Sequence, residues 1–209
     1  MNTYFGRALV ITSAALILSA CRVVVDTTIN DNGSGELRSS FVFSGEEKAN
    51  FEGSPENAGK SVCDNLKQGA QAGTEFVEEL RGNETFCTTV RSFANLNELR
   101  GFYESMGNVT VKRLKMGFGK FIFDVQVDLT PKNGNEPVPM EWGLKIPGAI
   151  GNNNSDAIEG QTLTWNIEPG EIATLHAESS VSIDPSIWVM IGLVLLLGLV
   201  SFLLIRRRS

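Results

Sequence analysis

Few residues in this chain of 209 are placed to do chemistry, and its three cysteines, Cys21, Cys63 and Cys87, come first. A thiol can be acylated, can bridge to a second thiol, or can be buried as a small hydrophobe. An odd number asks which one stands apart. His176 is the sole histidine, so a metal site or a triad would have to be built around it alone. No GxSxG elbow accompanies it, and it is expected to be an ordinary polar residue of the last strand. Residues 53–61, GSPENAGKS, nearly spell a phosphate-binding loop, but five residues rather than four separate Gly53 from Gly59. A capped surface helix is the better reading. HExxH, CxxC and a complete EF-hand loop are absent. No catalytic, cofactor-binding or metal-ligating residue is therefore assigned, no cofactor is expected, and the chain is read as a non-enzyme.

Stepping outward from Cys21, residues 8–20 are uncharged and follow Arg7. That run is short of the about 20 apolar residues a bilayer needs, and residues 1–20 read as a secretory signal peptide. Leu18-Ser19-Ala20-Cys21 directly follows it and resembles the lipobox of bacterial lipoproteins. The resemblance implies that Cys21 becomes the mature N-terminus and carries lipid, palmitate included. Cys63 and Cys87 then remain as an even pair in an oxidising compartment. Bridged, they would close a loop of about 25 residues, worth roughly 3 kcal/mol; the alternative is two buried free thiols. At the other end, residues 187–205 carry no charge and are followed by Arg206, Arg207 and Arg208. As a helix this run would be about 28 Å long at ~1.5 Å per residue, which suits a single transmembrane span with the basic tail 206–209 in the cytoplasm. The expected layout is signal peptide, extracytoplasmic domain over 21–178, tether over 179–186, transmembrane helix and tail. This places the protein at a bacterial cell membrane, held by a lipid anchor and the helix.

All 24 acidic residues but only 14 of the 18 basic ones lie within residues 21–186. An ectodomain with that acidic excess does not seek nucleic acid by bulk charge. It is long enough to bury one sizeable core. Gly192 and Gly198 of the C-terminal apolar run are not at GxxxG spacing, so no dimerisation signal is read there.

Residues 23–29 and 36–44 are β-rich, and the NDNGSG between them suits a hairpin turn. Residues 54–72 read as a helix, with Ser54 as N-cap and Ala58, Val62, Leu66 and Ala70 recurring every four residues. Residues 84–94 read as a strand, and Asn95 caps a second helix with Glu98 at capping-box spacing. Strands follow over 109–116 and 119–129, then through Met140, Trp142, Leu144 and Ile146, through Leu163, Trp165 and Ile167, and over 171–178. The expectation is an α+β fold, an antiparallel twisted sheet packed on one or two helices. Phe41, Phe43, Phe121, Phe123, Trp142 and Trp165 are candidates to line an apolar pocket between sheet and helix; an ordinary packed core is the competing reading.

Several of these features occur together in one family. Cys21-x-Val-x-Val after the lipobox, the Asn-Gly-Ser-Gly hairpin and the mid-domain helix are followed by Trp142-Gly-Leu-Lys-Ile-Pro-Gly148. The Asn-rich loop, Gly160 with Thr-Leu-Thr-Trp165-Asn-Ile and the apolar C-terminal run complete the set. This order resembles the LppM-like domain of bacterial membrane lipoproteins. The resemblance implies an α+β lipid-binding-like fold at the cell surface, links to envelope glycolipids, and no catalytic residues to carry over. The expected function is a surface-exposed, non-enzymatic lipoprotein that binds an apolar or glycolipid envelope ligand. The alternative is a structural or protein-interaction module of the envelope without a ligand pocket.

Overall fold

Asn32 and Gly33 turn the first strand back on itself. Gly33 takes a positive φ of 79°, a region open to glycine at little cost, and the Asn32 side chain accepts the Ser34 amide at 3.0 Å. Strand β1 (Arg22–Ile29) thereby pairs antiparallel with β2 (Gly35–Ser44), with Ile29 opposite Gly35. The computed structural model describes residues 22–181 apart from 55–56, 58–59, 70–73, 118 and 133–136.

Strands β3 (Glu75–Arg81) and β4 (Glu84–Phe93) form a second hairpin, and β4 lies antiparallel along β2. The other edge of β1 is taken by β7 (Met140–Lys145), in parallel, with Val25 opposite Trp142. Strand β10 (Thr162–Ile167) runs antiparallel to β7, and the short β9 (Ala157–Glu159) closes that side. The order β3-β4-β2-β1-β7-β10-β9 makes one seven-stranded sheet. A separate four-stranded sheet has the order β5-β6-β11-β8. Its members are β5 (Val109–Gly117), β6 (Lys120–Asp128), β11 (Ile172–Ser180) and β8 (Ala149–Asn153).

The four-stranded sheet packs its apolar face on the β1–β7–β10 part of the larger one. Alternation along β6 turns Phe121, Phe123, Val125 and Val127 inward, where all are fully buried beside Trp142, Leu144 and Leu163. The Phe123 and Trp165 rings stack with centroids 6.2 Å apart. Asn154 rivets the two sheets together. Its Oδ1 accepts the Trp165 indole N–H at 3.0 Å and the His176 amide at 2.7 Å, and its Nδ2 donates to the Thr174 carbonyl at 2.7 Å.

Helix α1 (Gly45–Glu52) starts at a capping box: Ser44 Oγ accepts the Glu47 amide and the Glu47 carboxylate accepts the Ser44 amide. Helix α2 (Asp64–Gly69) follows, and α3 (Leu96–Ser105) is capped by Asn95, whose side chain accepts the amides of Asn97 and Glu98. Leu99 and Tyr103, four residues apart on one face, bury completely.

The expected α+β fold is corrected by this arrangement. The protein is mostly β, with two sheets rather than one sheet covered by helices, and the larger sheet is mixed because β1 and β7 run parallel. What covers the β1, β7 and β10 part of the large sheet is a second sheet, because β5, β6 and β11 offer continuous apolar faces that need a partner. A continuous helix over 54–72 does not form either: residues 60–63 are non-helical, and helix reappears only at Asp64–Gly69. The signal peptide, Cys21, the end of the tether, the 187–205 run and the basic tail lie outside the described residues. The expected transmembrane helix gains no support: among the described residues no helix is long and apolar enough to cross a membrane.

Candidate functional site: an apolar cavity between two cores

The inner face of the seven-stranded sheet has two separate covers. Over β1, β7 and β10 lies the four-stranded sheet with α3, forming the main core. Over β2, β3 and β4 lies the α1–α2 segment, where Phe43, Val62, Cys63 and Cys87 are buried and Phe41, Phe51, Leu66 and Phe76 pack against them. Cys63 and Cys87 are joined by a disulfide with Cα atoms 5.4 Å apart. The bridge pins the start of α2 to the middle of β4.

A cavity of about 430 Å³ lies between these two covers. Its size falls in the range of about 300–1,000 Å³ typical of ligand pockets. Strand alternation supplies its floor: Val23 and Val25 from β1, Leu37, Ser39 and Phe41 from β2, Thr89 and Arg91 from β4, and Met140 from β7. Helix α3 supplies a wall. With Leu99 and Tyr103 committed to the core, the neighbouring face turns Phe102, Ser105 and Met106 toward the cavity. Gly107 then ends the helix with a φ of 76°, and Asn108 borders the opening. Leu129, Pro137 and Val138 close the remaining side, and the Pro139 carbonyl ties that chain to the Val23 amide at 2.9 Å.

Among the described residues, Arg91 is the one charged residue lining the cavity. Its guanidinium carbon lies 5.5 Å from the Phe102 ring centroid, a cation–π distance. None of the ion pairs among the described residues uses it.

Of the six aromatic residues expected at a pocket, only Phe41 lines this one. Phe43 is packed against the disulfide. Phe121, Phe123, Trp142 and Trp165 are buried in the main core, where the two sheets face each other and leave no room. The hollow lies beside that region, beyond the reach of the smaller sheet. Sequence reasoning missed Arg91, Phe102 and Met106 as a group. The available signal was Arg91 itself, a charged residue at an inward register position of β4, two residues from Thr89 on one side and Phe93 on the other.

Two polar clusters occupy outer faces. On the smaller sheet the bulge between Val111 and Arg113 sets Arg113 opposite Asp124. The Asp124 carboxylate accepts from Arg113 Nε and pairs with His176 Nδ1. Burial opposes ionisation of Asp124, but these two partners outweigh it and hold its carboxyl below the ordinary value. Asn152 lies 3.4 Å from the other His176 ring nitrogen. No linear spacing announces this cluster, since Asp124 and His176 are 52 positions apart. On the larger sheet a second, polar hollow of about 320 Å³ collects Arg22, Asp26, Arg38, Glu79, Arg81 and Glu141. Burial, then Glu141, raises the Asp26 carboxyl, against Arg38 and Arg81. Among the described residues no group of three or more His, Cys, Asp or Glu could hold a metal ion.

The fold is thus a two-sheet β domain with a ligand-sized apolar hollow at the junction of its two cores. Residues 119–209 match the family described as a protein of unknown function (DUF3153). Protein LppM of Mycobacterium tuberculosis is 25% identical over 111 residues, 53% of this chain and 48% of that protein. The match therefore spans about half the length of that curated relative. The NMR structure of the folded domain of M. tuberculosis LppM superposes with a TM-score of 0.50 at 20% identity, covering 79% of this chain and 91% of that one. The domain is thus similar in fold to that of LppM.

Proposed function

We propose that this chain is an envelope lipoprotein, acylated at Cys21, whose LppM-like domain holds the apolar part of an envelope lipid in the cavity between its two cores. No enzymatic step is part of this function. The observation that carries the reading is the cavity itself. Its floor is built from Val23, Val25, Leu37 and Phe41, and its wall from Phe102 and Met106. Folding removes such side chains from water where it can, at about 25 cal/mol per Å². An apolar hollow of this size left partly open is a site that a hydrocarbon chain fills favourably.

The position of Cys21 supports the lipoprotein reading. It directly precedes Arg22, the first residue of β1, and Val23 and Val25 of that strand line the cavity.

The test is photo-crosslinking of the full chain in its membrane with a diazirine-bearing alkyl probe, followed by mapping of the labelled peptides. Labelling of the peptides that carry Phe41 and Phe102–Met106, abolished by Ser39→Trp, is the expected result. Ser39 lies on the cavity floor, so an indole there takes up space in the hollow. Labelling that spares these peptides, or that persists in Ser39→Trp, overturns the proposal.

A further inference from the structure

We infer that the cavity selects a single-chain amphiphile with an anionic head, a carboxylate or a monoester phosphate, and that Arg91 reads that head. The inference rests on the apolar-ligand reading above and adds the chemistry of the head group.

Arg91 sits at an inward position of β4, half-buried, between Thr89 and Phe93. An inward charge without a counter-ion is costly unless something pairs with it. Among the described residues no carboxylate lines the cavity and no ion pair uses Arg91. Its neighbour is the Phe102 ring at 5.5 Å, which steadies the guanidinium plane and leaves its N–H groups free for an acceptor. A planar fork of donors fits a carboxylate or phosphate in two parallel hydrogen bonds. Ser39 and Asn108 also border the cavity and add neutral donors.

The surroundings sharpen the point. The domain as a whole is acidic, so bulk charge repels anions and cannot account for anion binding. Selectivity must come from one local cation held against low-dielectric walls, where a charge pair is worth more than at an open surface. A positively charged head is excluded by the same residue. The volume, near the lower end for ligand pockets, matches one chain rather than several.

The experiment uses the full chain in membranes and four photoactivatable probes that share one alkyl chain and differ only in head: carboxylate, phosphate, uncharged alcohol and trimethylammonium. The two anionic probes are expected to label the Phe102–Met106 peptide best and the ammonium probe least, and the stronger of the anionic two identifies the head. Arg91→Gln should lower anionic labelling at least tenfold and leave the alcohol unchanged. Arg91→Glu should reverse the order in favour of ammonium, which loss of folding would not do. Ser39→Trp should remove all labelling. If the cavity is labelled and Ser39→Trp blocks it, but neither Arg91 variant alters the head-group order, the head-group inference falls and the apolar-ligand reading stands. If no probe labels the cavity of the unaltered chain, both fall.

Discussion

The Tyr103 hydroxyl meets the Thr27 hydroxyl at 2.6 Å in the middle of the main core. Both residues are almost wholly shielded from solvent. The contact fixes α3 to β1, and so sets the distance between the cavity's wall and its floor. It is flanked by Trp142, whose ring centroid lies 5.0 Å from that of Tyr103, and by Phe123 at 6.2 Å. Burial raises the Tyr103 phenol, against its hydrogen bond with Thr27.

Removing one hydroxyl of this pair strands the other. Tyr103→Phe is expected to cost about 1–3 kcal/mol, the penalty of an unsatisfied buried hydroxyl. Thr27→Val should cost a similar amount, and the double variant less than the sum of the two, because neither hydroxyl is then left alone. Chemical denaturation of all three variants measures the coupling. Strict additivity would show that the contact contributes nothing of its own.

Asp124 gives the fold a defined acid sensitivity. Its carboxyl titrates below the ordinary 3.8 in the folded protein because His176 and Arg113 outweigh the effect of burial. A depressed folded pKa contributes stability that is present above 3.8 and is lost as pH falls through the lower folded value. Asp128, held at about 2 by Thr130 and Lys132, acts in the same direction. Asp124→Asn should lower stability at neutral pH and flatten its fall below pH 3.8. Unfolding midpoints across that range decide the matter, and an unchanged acid slope would remove Asp124 from the explanation.

Bridging Cys63 to Cys87 closes a separation of 24 residues. Changing both to serine should cost about 3 kcal/mol in the chain-entropy account. The same bridge holds the cover that packs against Phe41, so the cavity should lose definition as well. Denaturant midpoints of the double variant, and of the unaltered chain with and without reductant, test this. A loss under about 1 kcal/mol would mean that packing alone holds the segment.

Two glycines with left-handed backbones separate strain from crowding. Gly160 has a φ of 62° and open space where a Cβ would sit. Gly160→Ala should cost only the left-handed penalty of about 1–2 kcal/mol. Gly148 has a φ of 77°, and a Cβ there would overlap the Ser180 backbone carbonyl. Gly148→Ala should therefore cost clearly more than Gly160→Ala. Equal losses in parallel melts would contradict the close approach of residue 148 to the end of β11.

Local chemistry was the legible part of this fold. Asn-Gly turned the first hairpin, Asn95 capped α3, and the alternation of Phe121 to Val127 marked an inward face. Alternation says that a strand has a buried side, but not which sheet buries it. That is why one sheet on helices was expected where two sheets pack together. Helix periodicity over 54–72 misled for a related reason. Small residues every four positions fit a helical stripe, but Ser44 and Glu47 start a helix ten residues earlier and the disulfide fixes Cys63 outside any helix. Strand β8, whose sequence is Ala-Ile-Gly-Asn-Asn, carries almost no strand signal of its own and exists by pairing with β11. The cavity escaped because it is defined by what two distant covers fail to reach, and no residue spacing encodes that gap.

The parallel pairing of β1 with β7 also sets a schedule for assembly. The first strand to be made sits at the centre of the larger sheet, yet one of its edges waits for Met140–Lys145. Until that segment is synthesised, the chain exposes a row of unpaired amides and carbonyls flanked by Val23, Val24 and Val25. Contacts this remote in sequence form slowly, so the nascent protein passes through a long interval in which a sticky strand must be shielded. A fragment ending before residue 140 should aggregate rather than fold, and a holding chaperone would find its target in those valines.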